Sequence, residues 1–290
     1  MPSLKDVKLQ ITGVGKTKQI TRAMGMVASA KLRGAQNKIE RFRPYADTFR
    51  GILGEVVART QDVAHPLLEV REQPKKAVIM LLTSDRGLCG GFNASLIAMA
   101  LNLAKSREKE GLEVSFICVG RKGREAIRKT DYPIAEYYTD VMGSFGFSLA
   151  THLGRNIAGL YTRGDADEVH LVFSEFASVS RQVPTVMQLL PFSSDRKEGD
   201  APQAECLFEP QVETLLAELL PRYVNVQVYR GLLDNSASEN ASRMASMDNA
   251  TRNCDELINS LTLLYNKTRQ AAITNELIDI VGGANAQQSQ

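Results

Sequence analysis

The sequence predicts an α/β fold: a long antiparallel coiled coil of N- and C-terminal helices, with an inserted, mostly parallel, Rossmann-like α/β domain. Apolar residues recur at coiled-coil spacing near the start of the chain and again near its end. Between these stretches, apolar runs of strand length alternate with helix-forming segments. We therefore divide the chain into an N-terminal coiled-coil helix at 1–60, an α/β domain at 75–193 and a C-terminal coiled-coil helix at 208–285.

The N-terminal apolar stripe advances in steps of three and four residues, which average the ~3.5-residue period of a coiled coil. Its members are Leu4, Val7, Ile11, Val14, Lys18, Thr21, Gly25, Ala28, Leu32, Ala35, Ile39, Phe42, Ala46, Phe49, Leu53 and Val56. All but Lys18, Thr21 and Gly25 are apolar. A stripe this narrow requires a partner helix, and it runs far beyond the ~11–12 residues of an average globular helix. Two amphipathic helices packed on an ordinary core remain the alternative.

The C-terminal stripe has the same period and can supply that partner. Its members are Leu233, Ala237, Met244, Met247, Thr251, Cys254, Ile258, Leu261, Tyr265, Thr268 and Ala272, with Asn240 as the polar member of the series. We expect an interruption at Pro221, an unbroken helix over 223–281 and a helix end at Gly282-Gly283. The apolar tip around Ile273 and Leu277 lacks a predicted partner in its own chain and is expected to insert into another protein.

The middle of the chain has the pattern of βαβ units. A continuous apolar run at Lys76–Thr83 predicts a strand buried on both faces. A glycine-rich turn follows at Asp85–Asn93, and Asn93 is the expected N-cap of the next helix. Further strands are predicted at 113–119, 168–173 and 183–190, and further helices at 121–128 and 149–161. Pro184 indicates that the last strand lies at an edge of the sheet.

Charge is nearly balanced overall but uneven along the chain. The 290 residues include 35 Lys and Arg against 33 Asp and Glu, a net charge of +2 that is no nucleic-acid signature. From Lys5 to Arg50, however, there are eleven basic residues and only three acidic ones, Asp6, Glu40 and Asp47. Such a basic helix can meet an acidic protein surface, phosphates or an anionic membrane, or can simply be a solvated face.

Cysteine spacing and hydropathy predict a soluble protein from a reducing compartment. The four cysteines form no CxxC pair and have no histidine at ligand spacing, so we expect free thiols and no metal site. No apolar run approaches the ~18–20 residues of a membrane span. The first residues resemble neither a signal nor a transit peptide. Docking on a membrane complex is compatible with all of this.

No motif predicts catalysis or a cofactor. Gly13–Thr17 resembles the end of a phosphate-binding loop, but Gln10 stands where that motif requires glycine. The Gly87–Phe92 turn matches a dinucleotide-binding turn poorly. No histidine, serine or cysteine has a recognisable catalytic partner. The rival hypothesis is a nucleotide-binding enzyme built on the α/β domain with coiled-coil arms, and a third is a coiled-coil scaffold.

Four stretches together resemble the gamma subunit of F-type ATP synthases, in its bacterial form. They are 20–32 (ITRAMGMVASAKL), 84–93 (SDRGLCGGFN), 238–244 (SENASRM) and 265–278 (YNKTRQAAITNELI). The family's fold is two long terminal helices coiled together with an α/β domain between them. Its members are the non-catalytic central rotor shaft, which couples proton-driven rotation of the membrane c-ring to conformational change at the beta-subunit catalytic sites.

The resemblance also implies partners and contact residues. The partners are the hexamer of alpha and beta subunits, the epsilon and delta subunits and the c-ring, at the cytoplasmic face of the bacterial inner membrane. The membrane is met only through the complex, and nucleic acid is not a partner. The implied subunit-interface residues are Met24, Asp85, Arg86, Gly87, Cys206, Phe208, Arg269 and Gln270. Arg269 and Gln270 match a pair that hydrogen-bonds a beta-subunit loop, and Met24 matches a position facing the beta lever.

Overall fold

The computed structural model describes residues 3–58, 65–71, 73–192 and 211–288, with side chains to 57 in the first range and to 282 in the last. The elements are α1 (Leu4–Ala58), β1 (Lys76–Leu82), α2 (Phe92–Lys109), β2 (Glu113–Val119), α3 (Arg121–Ile127), β3 (Ile134–Tyr138), α4 (Phe147–Arg163), β4 (Glu168–Phe176), β5 (Gln182–Leu190) and α5 (Val212–Gln288). The chain forms two compact units, described separately below. The helical unit is Met1–Ala28 with Met244–Gln290, and the sheet unit is Ser29–Arg243.

The sheet unit is built on one five-stranded sheet of order β3-β2-β1-β4-β5. The β1–β2, β2–β3 and β1–β4 pairs are parallel, and β5 is antiparallel to β4. Alternate residues of β1 enter different apolar clusters. Val78 and Met80 belong to the cluster shared with α1, α4 and α5, whereas Ile79 and Leu81 belong to the cluster shared with α2. A central strand buried on both faces explains the continuous apolar run in its sequence.

The sheet confirms the predicted fold class and adds one strand. β5 lies at an edge, where Pro184 removes no hydrogen bond from the interior of the sheet. The opposite edge is β3, which the sequence did not predict. All of its residues are half-buried or exposed in strict alternation, so it lacks the apolar run that marked the other strands.

In the sheet unit, α1 and α5 pair in antiparallel. Phe42 and Tyr229 stack edge to face with ring centroids 4.8 Å apart, and Arg230 reaches Asp47 at 2.8 Å. Along α1, the predicted stripe is the buried face. Its buried members in this unit are Leu32, Ala35, Ile39, Ala46, Leu53 and Val56.

In the helical unit, the same two helices pair in antiparallel through the residues that interrupt the apolar stripe. Lys18 forms an ion pair with Asp255. The hydroxyl groups of Thr21 and Thr251 lie 2.8 Å apart. A β-carbon on Gly25 would lie 3.5 Å from Cβ of Met247, an ordinary van der Waals distance, so the two helices are in direct contact at this position. The polar and small positions are therefore matched across the pair, an arrangement that fixes register in coiled coils.

Two predicted helix breaks are absent from α5. The helix passes through Pro221, where Leu216, Leu220 and Tyr223 are buried in the larger apolar cluster. Their burial offsets the hydrogen bond that proline removes. The helix also passes through Gly282-Gly283 and continues to Gln288, because the following alanines and glutamines are good helix formers. Of the described helices, none has a stretch apolar enough, at the length required, to cross a membrane.

Candidate functional site

The glycine-rich turn begins where β1 ends and is closed by Asn93. The Asn93 side chain accepts the backbone N–H of Ser84 at 3.0 Å and donates to the Ser84 hydroxyl at 2.8 Å and to Sγ of Cys89 at 3.2 Å. The expected N-cap role of Asn93 is therefore wrong. Helix α2 starts at Phe92, and its N-cap residue is Gly91, so no side chain caps the helix. Asn93 lies inside the first turn and secures the loop instead.

Asp85 organises the loops around this turn. One carboxylate oxygen accepts the backbone N–H of Arg121 at 3.0 Å and of Asp140 at 2.9 Å, and the other accepts the N–H of Met142 at 3.0 Å. Three backbone donors satisfy the carboxylate, so its charge serves the fold of the sheet unit. The neighbouring Arg86 side chain is exposed and Gly87 is half-buried. The Arg86 side chain of this turn is thus exposed to solvent, whereas the Asp85 carboxylate bonds the backbone of neighbouring loops in the same unit.

Helix α5 holds the turn from the other side. The Ser242 hydroxyl donates to the carbonyl of Cys89 at 2.7 Å. The Arg243 guanidinium donates to the carbonyls of Arg86 at 3.1 Å and Gly87 at 3.2 Å. It also pairs with Glu239 one helical turn earlier, at 2.7 Å. Burial raises the pKa of the Glu239 carboxyl group, and Arg243 opposes that rise.

Ser242 and Arg243 were not among the predicted site residues. The sequence did carry a signal, since both lie in the SENASRM stretch and Glu239–Arg243 has the spacing of a helical ion pair. The partner of that stretch, however, is separated from it by more than a hundred residues. Only the tertiary structure of the sheet unit identifies it.

This geometry does not favour the nucleotide-binding alternative. Phosphate sites at the first turn of such a sheet use free backbone N–H groups at a helix N-terminus. Here the Asn93 side chain takes the Ser84 N–H at the start of the turn, and the side chains of Ser84, Ser242 and Arg243 donate to carbonyls of the turn. Across the described ranges, no cluster of three or more His, Cys, Asp or Glu side chains is placed to hold a metal ion.

The helical unit contains the remaining predicted contact residues that the structure describes. Met24 is half-buried beside the paired stripe, whereas Arg269 and Gln270 are exposed. A groove between the two helices is lined by Lys18, Arg22, Asp248, Thr251, Arg252 and Asp255. Beyond Gln270 the helix surface is exposed and partly apolar, with Ile273, Leu277, Ile278, Ile280 and Val281 all in contact with solvent. Cys206 and Phe208 lie outside the described residues.

The architecture defines a class: coiled-coil proteins whose two terminal helices pair in antiparallel and carry an α/β domain inserted between them. The family model described as ATP synthase matches residues 3–287. The ATP synthase gamma chain of Nitratidesulfovibrio vulgaris strain Hildenborough is 59% identical over 288 residues, and that of Lawsonia intracellularis is 54% identical over 288 residues. Each match covers 99% of both chains. The chain belongs to the ATP synthase gamma chain family.

Solved structures give the same fold. A chain of the Euglena gracilis mitochondrial ATP synthase, from a structure of its OSCP, F1 and c-ring, superimposes with a TM-score of 0.75 at 22% identity. That match covers 99% of this chain and 95% of that one. A chain from the central stalk and c-ring of the Tetrahymena thermophila mitochondrial ATP synthase gives a TM-score of 0.60 at 25% identity, covering 80% and 99%.

Proposed function

We propose that this chain is the central rotor shaft of a bacterial F-type ATP synthase. It couples proton-driven rotation of the membrane c-ring to conformational change at the catalytic sites of the beta subunits, and so to ATP synthesis. Family membership across nearly the whole chain is the observation that carries this proposal. The likeness to a chain from the central stalk and c-ring of the Tetrahymena enzyme supports it.

The paired helices suit a shaft. In the helical unit, matched partners at Lys18–Asp255 and Thr21–Thr251 resist sliding of one helix along the other. In the sheet unit, α1 and α5 pack directly on the sheet through the larger apolar cluster. Rotation can drive catalysis only if each shaft angle interacts differently with the conformations of the surrounding subunits. An uneven outer surface of charged and apolar side chains provides such differences.

The chain itself is proposed to be non-catalytic, with no cofactor of its own. Its proposed partners are the alpha and beta subunits, the epsilon and delta subunits and the c-ring. It lies at the cytoplasmic face of the inner membrane as a peripheral protein and meets the membrane only through the complex. The basic face of α1 suits acidic segments of the beta subunits, where charge contributes steering and register more than net affinity.

Those proposed contact residues that the structure describes fall on exposed or half-buried positions. The side chains of Arg269 and Gln270 are exposed and make no hydrogen bond or ion pair to other described residues, which suits hydrogen bonding to a beta-subunit loop. The exposed apolar residues beyond them suit insertion into the hexamer of alpha and beta subunits. Met24 and the Asp85–Gly87 turn are proposed to meet the beta lever region. Cys206 and Phe208 are proposed to contact subunits at the foot of the shaft.

Reconstitution tests this function. The full-length chain is mixed with the alpha and beta subunits of the same organism, and assembly and ATP hydrolysis are measured with and without it. We expect a stoichiometric complex with rotor-dependent ATPase activity. Failure to co-assemble would rule the proposal out. Calorimetry of the isolated chain with ATP and NAD serves as the second arm, because tight stoichiometric binding would favour the nucleotide-binding enzyme instead.

A further inference from the structure

Strand β4 of the sheet unit extends past its neighbour β1. Pairing between these two strands ends at Leu81 and Val172, whereas β4 continues to Phe176 and stays paired with β5 on its other side. In an extended strand, the N–H and C=O of one residue point to the same side, and those of the next residue point to the opposite side. Alternate residues in the last part of β4 therefore direct both backbone groups into the space beyond the end of β1.

Ser174 is the first of these alternate residues, and helix α5 bonds both of its backbone groups. Its N–H donates to Oδ1 of Asn235 at 3.3 Å. Its carbonyl oxygen accepts the hydroxyl of Ser238 at 3.0 Å, one helical turn further along α5. Two side chains of one helix thus make the pair of backbone hydrogen bonds that a neighbouring strand would make.

Phe176 is the next alternate residue, and both helices bond it. Its N–H donates to Oδ1 of Asp234 on α5 at 3.3 Å, and its carbonyl oxygen accepts Nη2 of Arg43 on α1 at 2.6 Å. Helix side chains therefore replace a strand along this part of β4. We call the four side chains that do so the β4 joint: Arg43, Asp234, Asn235 and Ser238.

The β4 joint is polar, although helices usually pack on a sheet through apolar side chains. Asp234, Asn235 and Ser238 are all buried. Among the described residues, Oδ2 of Asp234, Nδ2 of Asn235 and Nε of Arg43 are buried without a hydrogen-bond partner. Burying such groups costs free energy, and apolar side chains of similar size often stabilise a contact equally well. Stability alone therefore does not account for the joint.

The β4 joint differs from apolar packing in being directional. Apolar burial has no preferred direction, and packed helices can slide past their neighbours by small shear movements. A hydrogen bond weakens steeply when its donor and acceptor are misaligned, so bonds from both helices to the backbone of one strand oppose such sliding. We propose that the β4 joint bears torque in this unit, so that the sheet and the parts of α1 and α5 packed on it turn as one body. This inference rests on the proposed function, since only a rotor carries torque.

The test separates mechanical load from stability. One variant combines Arg43→Met with Asp234→Leu, which removes both bonds to Phe176 but leaves no buried charge unpaired at the joint, so much of the stability is retained. The second variant, Ser238→Ala, removes a single hydroxyl group. Each full-length chain is reconstituted with the other synthase subunits in lipid vesicles. ATP hydrolysis in vesicles made permeable to protons, the steady proton gradient that ATP sustains in sealed vesicles, and the Tm of the free chain are measured.

We expect the joint variants to fail under load. ATP hydrolysis in the permeable vesicles, where the rotor turns against little resistance, should stay within about two-fold of wild type. The sustained proton gradient should fall at least about three-fold, because the weakened joint yields as the opposing force grows. Ile157→Val is the control, since it removes one methyl group from a side chain buried in the same unit and alters no hydrogen bond. It should keep both activities, even at an equal loss of Tm.

The outcomes distinguish this inference from the function it rests on. If the wild-type complex does not assemble or pump protons, the proposed function fails and the inference fails with it. If wild type pumps and both joint variants sustain the wild-type gradient, only the torque-bearing joint is overturned. An equal loss of gradient in Ile157→Val at equal Tm would also overturn it. So would failure of both joint variants to fold, because the side chains would then serve the fold alone.

Discussion

Arg43 and Asp234 form an ion pair at the meeting point of three elements of the sheet unit. Nη2 of Arg43 on α1 lies 2.6 Å from Oδ1 of Asp234 on α5 and 2.6 Å from the carbonyl oxygen of Phe176 at the end of β4. The same carboxylate oxygen accepts the Phe176 N–H at 3.3 Å. Burial raises the pKa of Asp234, and Arg43 opposes that rise. The pair therefore fastens both helices to the sheet.

Replacing Arg43 with Met should destabilise the chain because it leaves the buried Asp234 carboxylate with only the more distant guanidinium of Arg230, whose Nε lies 3.9 Å away. The Asp234 side chain is 1% exposed and that of Arg43 is 33% exposed. We expect a loss of about 2–3 kcal/mol in the free energy of unfolding, below the ~3–5 kcal/mol of a fully buried pair because water reaches the guanidinium. Chemical denaturation of the full-length chain measures it.

An exposed pair provides the control for this prediction. The Arg121 and Asp140 side chains are half or more exposed, and their charged groups lie 2.6 Å apart, so Arg121→Met should cost much less stability than Arg43→Met. The double variant Arg43→Met with Asp234→Leu should recover much of the loss, since apolar replacements of a buried pair are often neutral. Equal losses for the Arg43 and Arg121 variants would show that burial is not the cause.

Gly120 is the position where a single methyl group should be most costly. Its φ is +106°, and a β-carbon there would overlap the backbone carbonyl of Thr83, the residue after β1. Gly111 has a similar φ of +89° but no atom within 4 Å of the added carbon. We expect Gly111→Ala to cost about 1–2 kcal/mol from backbone conformation alone, and Gly120→Ala at least about 3 kcal/mol. Urea denaturation compares them, and similar losses would contradict the predicted overlap.

His170 should make the stability of the sheet unit depend on pH. Burial lowers the pKa of its ring, and the nearby Glu168 carboxylate, 2.9 Å from Nε2, opposes that effect. The unfolded chain therefore takes up a proton at higher pH than the folded chain. In the unfolded chain the His170 ring protonates around pH ~6.5. The free energy of unfolding should therefore fall as pH drops below that value, by at most about 1.4 kcal/mol per pH unit.

The variant His170→Gln isolates this contribution, because glutamine keeps a polar group beside Glu168 but does not titrate. The slope of unfolding free energy against pH, between about pH 6.5 and 5, should be shallower in the variant than in the parent chain. Parallel slopes in the two chains would assign the pH dependence to other groups.

Features set by local sequence could be predicted, and the coiled-coil stripe is the clearest case. Its period depends only on spacing along one helix, and its described members are buried or half-buried as far as Thr268. β1 and β2 were predicted for a similar reason, since burial on both faces leaves a continuous apolar run. β3 was missed because a five-residue, half-buried edge strand leaves almost no such signal.

The candidate site was only partly predictable. Clustered glycines identified the turn at Asp85–Asn93, but not which side chains would hold it. The bonds from Ser242 and Arg243 to that turn join segments about 150 residues apart in the chain. Asn93 illustrates the limit of local rules. Asparagine is a common N-cap residue, but here its side chain accepts a hydrogen bond from the Ser84 N–H and does not cap α2.

Arg269 and Gln270 should matter to the assembled complex and not to the fold of the chain. Both are exposed on the helical unit, so the double variant Arg269→Ala with Gln270→Ala should change the free energy of unfolding by less than about 0.5 kcal/mol. If they hydrogen-bond a beta-subunit loop, each truncation leaves a partner group unsatisfied, and assembly or ATPase turnover should fall several-fold. Lys267→Ala is the matched control, because Lys267 is equally exposed but lies about 200° around the helix from Arg269. An unchanged rate in the fully assembled double variant would remove these two residues from the proposed interface, whereas a matching loss in Lys267→Ala would indicate a general effect of altering this helix.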